Sequence, residues 1–238
     1  MKFKKPLKII IGLVVFFTLP SLLFFGFVFF KYNQDLPIGI EGEQADAIAY
    51  KMLDALDYEA YKNTNYIEWT FKKRHHFKWQ KNENTCLVFW KDFKVNLDLK
   101  NSLQSKAYVH KFKVDGEKAI ELITEATKHF NNASFWLVAP YKIFDEGTKR
   151  SLVKTKHNED ALLVTYTTGG NTPGDSYLWF LNDTGKPEKF KMWTSNLPID
   201  GLEATWKDWI TTESGAQLPT FHKILVLGLD MGNIKGTK

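Results

Sequence analysis

The chain has 238 residues, 44% hydrophobic and 25% charged, enough for a sizeable core in one or two domains. Its single cysteine, Cys86, excludes an intrachain disulfide and a cysteine-based metal cluster. The formal charge of +5 resides in residues 1–31, which hold five lysines and no acid; beyond them 27 basic residues face 27 acidic ones, so overall charge gives no reason to expect nucleic acid.

Residues 9–30, IIIGLVVFFTLPSLLFFGFVFF, contain no charged residue. As a helix they span roughly 33 Å, about the thickness of a bilayer's hydrocarbon core. Pro20 lies mid-span, where it kinks a membrane helix without preventing insertion. A cleaved signal peptide is the rival reading. Its apolar region runs only about 7–15 residues and ends in a small-x-small cleavage pattern, whereas this stretch is longer and its flank reads FGFVFFKYNQ. Lys2, Lys4, Lys5 and Lys8 precede the span and Lys31 follows it. That asymmetry predicts a single pass with the N-terminus in the cytoplasm and the remainder outside, in a bacterium an inner-membrane protein with a periplasmic domain. Cys86 is too far from the apolar run to be a lipoprotein's acylated cysteine, so the helix itself must hold the chain at the membrane.

The expected organisation is a basic tip and anchor (1–31), a linker with Pro and Gly punctuation (32–42), and one domain (43–238). An amphipathic helix is predicted over about 43–62, with Ala45, Ile48, Ala49, Met52, Leu53 and Leu56 on one face. From Asn65 the period becomes two. YIEWTF, HHFKWQ, the denser run TCLVFW and FKVNLDLK read as four strands of an antiparallel meander, with short polar turns such as residues 81–84. TCLVFW suits a strand covered on both faces. A second helix is expected at about 116–130, with Ala119, Ile120, Ile123, Thr127 and Phe130 on one side and Asp115 as N-cap. The apolar run of FWLVAPYK (135–142) ends at Pro140, and the stretch reads as a short buried connector. The period of two then returns in SLVKTK, DALLVTYT, DSYLWFLN, PEKFKMWT, EATWKDW and PTFHKILVLGL. Strands do not alternate with helices, which argues against a parallel doubly wound sheet. The predicted fold is α+β: a curved antiparallel β-sheet, an unclosed half-barrel with helices on its concave face, preceded by one N-terminal transmembrane helix.

Two glycine stretches invite chemistry. TTGGNTPGD (167–175) is followed by a strand pattern, not by the helix whose N-terminus would face a phosphate, and it lacks a P-loop lysine. NDTGKP (182–187) holds an aspartic-protease-like triplet, but one such triplet supplies one of the two carboxylates that must share a proton, and Asn, Asp and Gly make turns between strands. Both are read as turns, with Asp183 a turn residue. His75, His76, His110, His129, His157 and His222 show neither H-E-x-x-H nor H-x-H spacing, so no metal site is assigned. No G-x-S-x-G elbow is present. The adjacent acids Asp145 and Glu146, and Glu159 and Asp160, suit solvated turns. No catalytic residue and no cofactor is predicted. Asn132 and Asn182 match the glycosylation acceptor, which matters only in a eukaryotic secretory pathway.

The aromatic load is more informative. Eight tryptophans are interleaved with Phe71, Phe77, Phe89, Phe93, Phe180 and Phe190 in alternating strands. Such a face lines an apolar cavity or simply fills a core. If a cavity, the candidate ligand-binding residues are Trp69, Phe71, Trp79, Trp90, Trp179 and Trp193.

The order of elements carries a resemblance. The helix Ala45–Leu56 leads into YIEWTF…HHFKWQ…VFWKDFKVNLDL, then FWLVAPYKIFDEGT, then ALLVTYTTGGNTPGDSYLWFLNDTGKPEKFKMW and a closing strand pair. Over about residues 44–228 this resembles the LolA-like superfamily of bacterial lipoprotein-sorting carriers, in particular uncharacterised members from Bacteroidetes-type bacteria. The resemblance implies an unclosed barrel whose helices cover a cavity for acyl chains; it transfers no site residue. This chain departs from those carriers in having a membrane span and no acylated cysteine, which fits receiving or holding a ligand at the inner membrane better than ferrying it. The expected function is a non-enzymatic, membrane-anchored periplasmic binding protein for a lipid or lipoprotein acyl chain. The alternative is an envelope protein–protein interaction module with a filled core, its partner unknown. A hydrolase built from distant Asp and His residues ranks third.

Overall fold

The computed structural model describes residues 5–156 and 158–238; Lys2, Lys4 and His157 lie outside the described residues. Helix α1 (Lys5–Tyr32) contains the apolar stretch and is long and apolar enough to cross a membrane. It is followed by α2 (Glu43–Ala55), α3 (Tyr58–Lys62) and the strands β1 (Tyr66–Phe71), β2 (His75–Gln80), β3 (Thr85–Trp90), β4 (Phe93–Asp98), β5 (Lys106–Val109) and β6 (Phe112–Val114). Helix α4 (Gly116–Val138) separates these from β7 (Thr148–Lys154), β8 (Asp160–Tyr166), β9 (Ser176–Leu181), β10 (Pro187–Trp193), β11 (Leu202–Thr205), β12 (Lys207–Thr211), β13 (Gln217–Ile224), β14 (Leu227–Asp230) and β15 (Lys235–Thr237).

Among the described residues the strands form two antiparallel, unclosed sheets of seven and eight strands. The first runs β15-β1-β2-β3-β4-β5-β6; the second runs β12-β13-β11-β10-β9-β8-β7, with β14 paired to β13. The predicted antiparallel half-barrel is therefore present, divided between two hydrogen-bonded groups. They are stitched where β1 passes the end of β14, by Thr70 N to Met231 O (3.2 Å) and Lys72 N to Asp230 O (2.8 Å). Helix α4 packs against β3, β4 and β5 of the first sheet and against β13 of the second, while α2 packs on β7 and β8.

Several boundaries differ from the sequence reading. The first helix breaks at Asp57, which adopts a left-handed conformation (φ 54°) and whose carboxylate accepts from Ala60 N at 3.0 Å, capping α3. Asp tolerates both roles, so Asp57 ends one helix and starts the next. The second helix continues eight residues past Phe130, because Asn131 and Ser134 lie outside its buried stripe and do not interrupt it. Its buried residues are Leu122, Ala126, Phe130, Ala133, Trp136, Leu137 and Val138, with Ile120 66% exposed. The small side chains Ala126 and Ala133 let α4 approach the sheet closely, so the inward face is turned relative to the predicted one. Asp115 occupies the N-cap position but its side chain pairs with Lys113 (2.7 Å) instead of capping. EATWKDW holds two short strands divided at Trp206. TCLVFW alternates, with Cys86, Val88 and Trp90 buried and Leu87 and Phe89 half-buried on the outer face.

The linker is tied down along the outer face of the second sheet. Gln34 N donates to Asp200 O (3.0 Å), Asp200 N to Asn33 Oδ1 (2.9 Å) and Trp193 Nε1 to Gln34 O (2.7 Å), and Ile40 bridges to Leu152. Replacing Trp193 with Phe removes one of these bonds while keeping a smaller aromatic ring in the same place, so we expect a loss of about 1 kcal/mol from the bond and faster protease cleavage within residues 33–40, read by limited proteolysis of the full chain.

Candidate functional site

The candidate site is the aromatic interior between the sheets and α4. Strand pairing puts Ile67, Trp69 and Phe71 opposite Trp79, Phe77 and His75, and these opposite Cys86, Val88 and Trp90. One face of the first sheet therefore carries all of them, and Phe130 of α4 meets it. Trp69 stacks on Phe77 (centroids 4.6 Å apart), and Phe130 lies 6.4 Å from Trp69 and 5.3 Å from Trp79. A second cluster joins Trp136 of α4 to the second sheet: Trp136–Phe190 5.5 Å, Trp179–Phe190 5.0 Å, Trp179–Trp206 4.9 Å. Both clusters belong to one continuous core.

Of the six candidate residues, Trp69, Phe71, Trp90 and Trp179 are buried in that interior, and Trp79 is half-buried against it. Trp193 is not brought together with them. It lies on the opposite face of the second sheet, in a small cluster with Val153, Ala161, Leu163 and Leu178, under the linker. The sequence holds the signal for this: Trp193 is three residues from Phe190, and an odd separation within a strand puts two side chains on opposite faces. Residues missing from the predicted set are Phe130, Trp136, Trp206 and His222. They lie on α4 or near strand ends, where periodicity does not say which sheet face they meet.

Polar atoms in this interior are few, and several lack partners. The indole nitrogens of Trp69, Trp90, Trp179 and Trp206 are buried without a hydrogen-bond acceptor. His222 is fully buried, 4.4 Å from the Trp206 ring and 5.2 Å from Trp136. Its ring nitrogens lie 2.8 Å from Thr205 O and 2.7 Å from Trp136 O. A neutral imidazole donates to only one of these carbonyls. Both would be satisfied by the cation, but burial dominates and pushes the pKa down to about 4, with the two carbonyls acting the other way. His75 stacks on His129 at 4.1 Å, and burial, then the neighbouring His129, holds its pKa below the usual histidine value. His129 Nε2 approaches Glu125 at 3.3 Å without the geometry of a hydrogen bond.

The glycine stretches are turns, as expected. Gly169, Gly170 and Gly174 have positive φ in the β8–β9 connection, and Asn171 ties that loop to α4 through Lys128 O (3.0 Å) and Asn131 (3.0 Å). In the β9–β10 turn Asn182 Oδ1 accepts from Lys186 N (2.9 Å), and Gly185 has φ +91° beside Lys51, where a Cβ would sit 2.8 Å from the Lys51 carbonyl oxygen. Asp145 pairs with Lys142, and Asp160 with Lys154 at 2.5 Å. Among the described residues no three His, Cys, Asp or Glu side chains are grouped to hold a metal ion.

Concavities on the outside, among the described residues, include two of similar size. One of about 690 Å³ lies over the outer face of the first sheet, lined by Tyr66, Lys78, Gln80, Thr85, Leu87 and Asn96 among others. The other, of about 650 Å³, lies beside α2 and α3, between Tyr50, Leu53, Tyr58 and Phe144.

No family model and no curated protein matches the chain. Among solved structures it is similar to a DUF1329 family protein from Desulfovibrio piger, at 9% identity and a TM-score of 0.43, covering 82% of this chain and 94% of that one. It is also similar to a putative outer membrane lipoprotein-sorting protein domain from Vibrio parahaemolyticus, at 9% identity and a TM-score of 0.39, covering 80% and 94%.

Proposed function

We propose that this chain is a membrane-anchored binding protein whose aromatic interior takes up a hydrophobic ligand, a lipid or lipoprotein acyl chain, with α4 as the movable cover. In this reading residues 9–30 span a bacterial inner membrane with the N-terminus inside, and residues 43–238 form the periplasmic binding domain. No catalytic step is involved. One observation carries the proposal: four buried indole N–H groups in one apolar interior have no acceptor. Leaving a buried donor unpaired costs about 1–3 kcal/mol, and the carbonyl or carboxylate oxygen of an acyl compound is the acceptor an otherwise apolar space lacks. The cover is held by few polar ties, chiefly His222 at the Trp136 carbonyl and Asn171 at the Lys128 carbonyl.

A second reading, a protein–protein interaction module with a filled core, is favoured by the complete burial of Trp69, Trp179 and Trp206. A photoreactive fatty acid with a diazirine in its chain separates the two. Applied to the full chain in membranes and mapped by mass spectrometry, it is expected to label peptides 66–90, 120–138 and 176–193. Labelling confined to α1 would mean that lipid reaches only the anchor, and would leave the interaction module as the function.

A further inference from the structure

The chain does not leave the membrane span and then begin its domain; the two overlap. Val28 of α1 is buried in the main core, and Phe29 and Tyr32 pack against the same core. Val28 stands three residues before Lys31, about 4–5 Å along the helix axis. The domain's surface at α1 thus reaches the level where the apolar span ends.

Hydrogen bonds and register show what else lies at that level. Just after α1, Asn33 and Gln34 are bonded to Asp200, and β11 starts two residues later at Leu202. In the antiparallel pair of β11 and β13, Ala204 is opposite Ile224. Moving back two residues to Leu202 corresponds to moving forward two residues to Val226. The β13–β14 turn, closed by the pair Ile224 and Leu227, therefore points to the same end of the sheet as Asn33 and Asp200.

The chemistry of this turn is unusual. Two-residue hairpin turns favour Gly, Asn or Asp at positions of positive φ. Here Leu225 takes φ 52°, and the tip that follows is apolar, with Val226 82% and Leu227 64% exposed. Lys223 is exposed next to it. Strand β1 runs toward the same end, since Thr70 and Lys72 bond to Met231 and Asp230 in that order, and its turn carries Lys72, Lys73 and Arg74.

We propose that the Leu225–Leu227 hairpin tip is a second membrane contact, seated at the boundary between headgroups and acyl chains beside α1. The occupant of this apolar tip is the bilayer that holds α1. Val226 and Leu227 enter the acyl region, while Lys223 and the Lys72–Arg74 turn face anionic headgroups. Two attachment points fix the tilt of the domain, so the second sheet stands on its β11–β13 end. The inference rests on the anchor reading given above.

The test uses the full chain in vesicles of phosphatidylethanolamine and phosphatidylglycerol, with an environment-sensitive fluorophore on an introduced cysteine. The native Cys86 is buried and does not compete. The probe at Val226→Cys is expected to emit at shorter wavelength than in water and to lose intensity to nitroxide-labelled lipid. A probe at Leu103→Cys, exposed beyond the opposite end of β4, is expected to stay aqueous. A probe at Phe17→Cys reports the span itself. An aqueous Val226 probe with a lipid-quenched Phe17 probe overturns the hairpin contact and leaves the anchor standing. Aqueous emission from both overturns the anchor and the contact with it.

Discussion

Replacing Trp206 with alanine is expected to lower the unfolding free energy by about 3–5 kcal/mol, the range for removing a large aromatic side chain from a packed core. Trp206 is inaccessible to solvent and makes ring contacts with Trp136, Trp179, Phe190, Trp209 and His222. It stands at the corner where β11 passes to β12, its backbone N–H donating to Glu188 O. The surroundings come from strands and from α4, so they cannot collapse onto the hole without moving whole elements. Trp206→Phe is expected to cost much less, because it leaves a smaller cavity and also removes an indole N–H that has no acceptor. Denaturant unfolding of the full chain in detergent, followed by far-ultraviolet circular dichroism, measures both. A loss below about 1 kcal/mol for Trp206→Ala would contradict tight packing around this ring.

Acidification from pH 7 to pH 5 is expected to lower stability by about 2 kcal/mol through His222 alone. The sign follows from the two states. In the folded chain burial holds the imidazole neutral, with a pKa of about 4. In the unfolded chain it takes the ordinary value near 6.5. Between those values the unfolded state binds the additional proton, so stability is fully present above about pH 6.5 and is lost as pH falls toward 4. His222→Gln does not titrate there and should be nearly free of this component. Glu68, held below the usual carboxylate range first by the Tyr66 hydroxyl, also loses its contribution in acid, and the neutral His75 adds a component of the same sign as His222. The quantity to measure is therefore the difference between wild type and variant at each pH. If wild type instead gains on the variant at pH 5, the imidazolium is donating to both the Thr205 and Trp136 carbonyls, and α4 is bolted to the second sheet more firmly in acid.

Much of this architecture is legible in the residues. The uncharged run 9–30 makes a long apolar helix; the alternation in YIEWTF and HHFKWQ makes paired strands; Gly and Asn in TTGGNTPGD and NDTGKP make turns. The parity that places Trp193 opposite Phe190 is local too, as is Asp57, a residue suited to both a left-handed break and a cap.

Other features depend on contacts between segments distant in sequence. The face that α4 buries is chosen by how closely Ala126 and Ala133 fit the first sheet, and several neighbouring stripes on that helix are apolar enough to qualify. That β15, the last strand, joins the first sheet and not the second depends on its returning to pair with β1 across the intervening chain. His222 looks like any strand histidine until the Trp136 carbonyl of α4 is laid on it. By itself the sequence determined the long apolar N-terminal helix, the strands and their turns, because the period of apolar side chains and the backbone preferences of Gly, Asn and Asp act over a few residues. Only the tertiary structure decided which aromatic rings share the interior, how residues 33–40 are pinned and which hairpin lies at the end of the sheet where the apolar helix joins, because these follow from strand register and packing between residues from tens to more than a hundred and fifty positions apart.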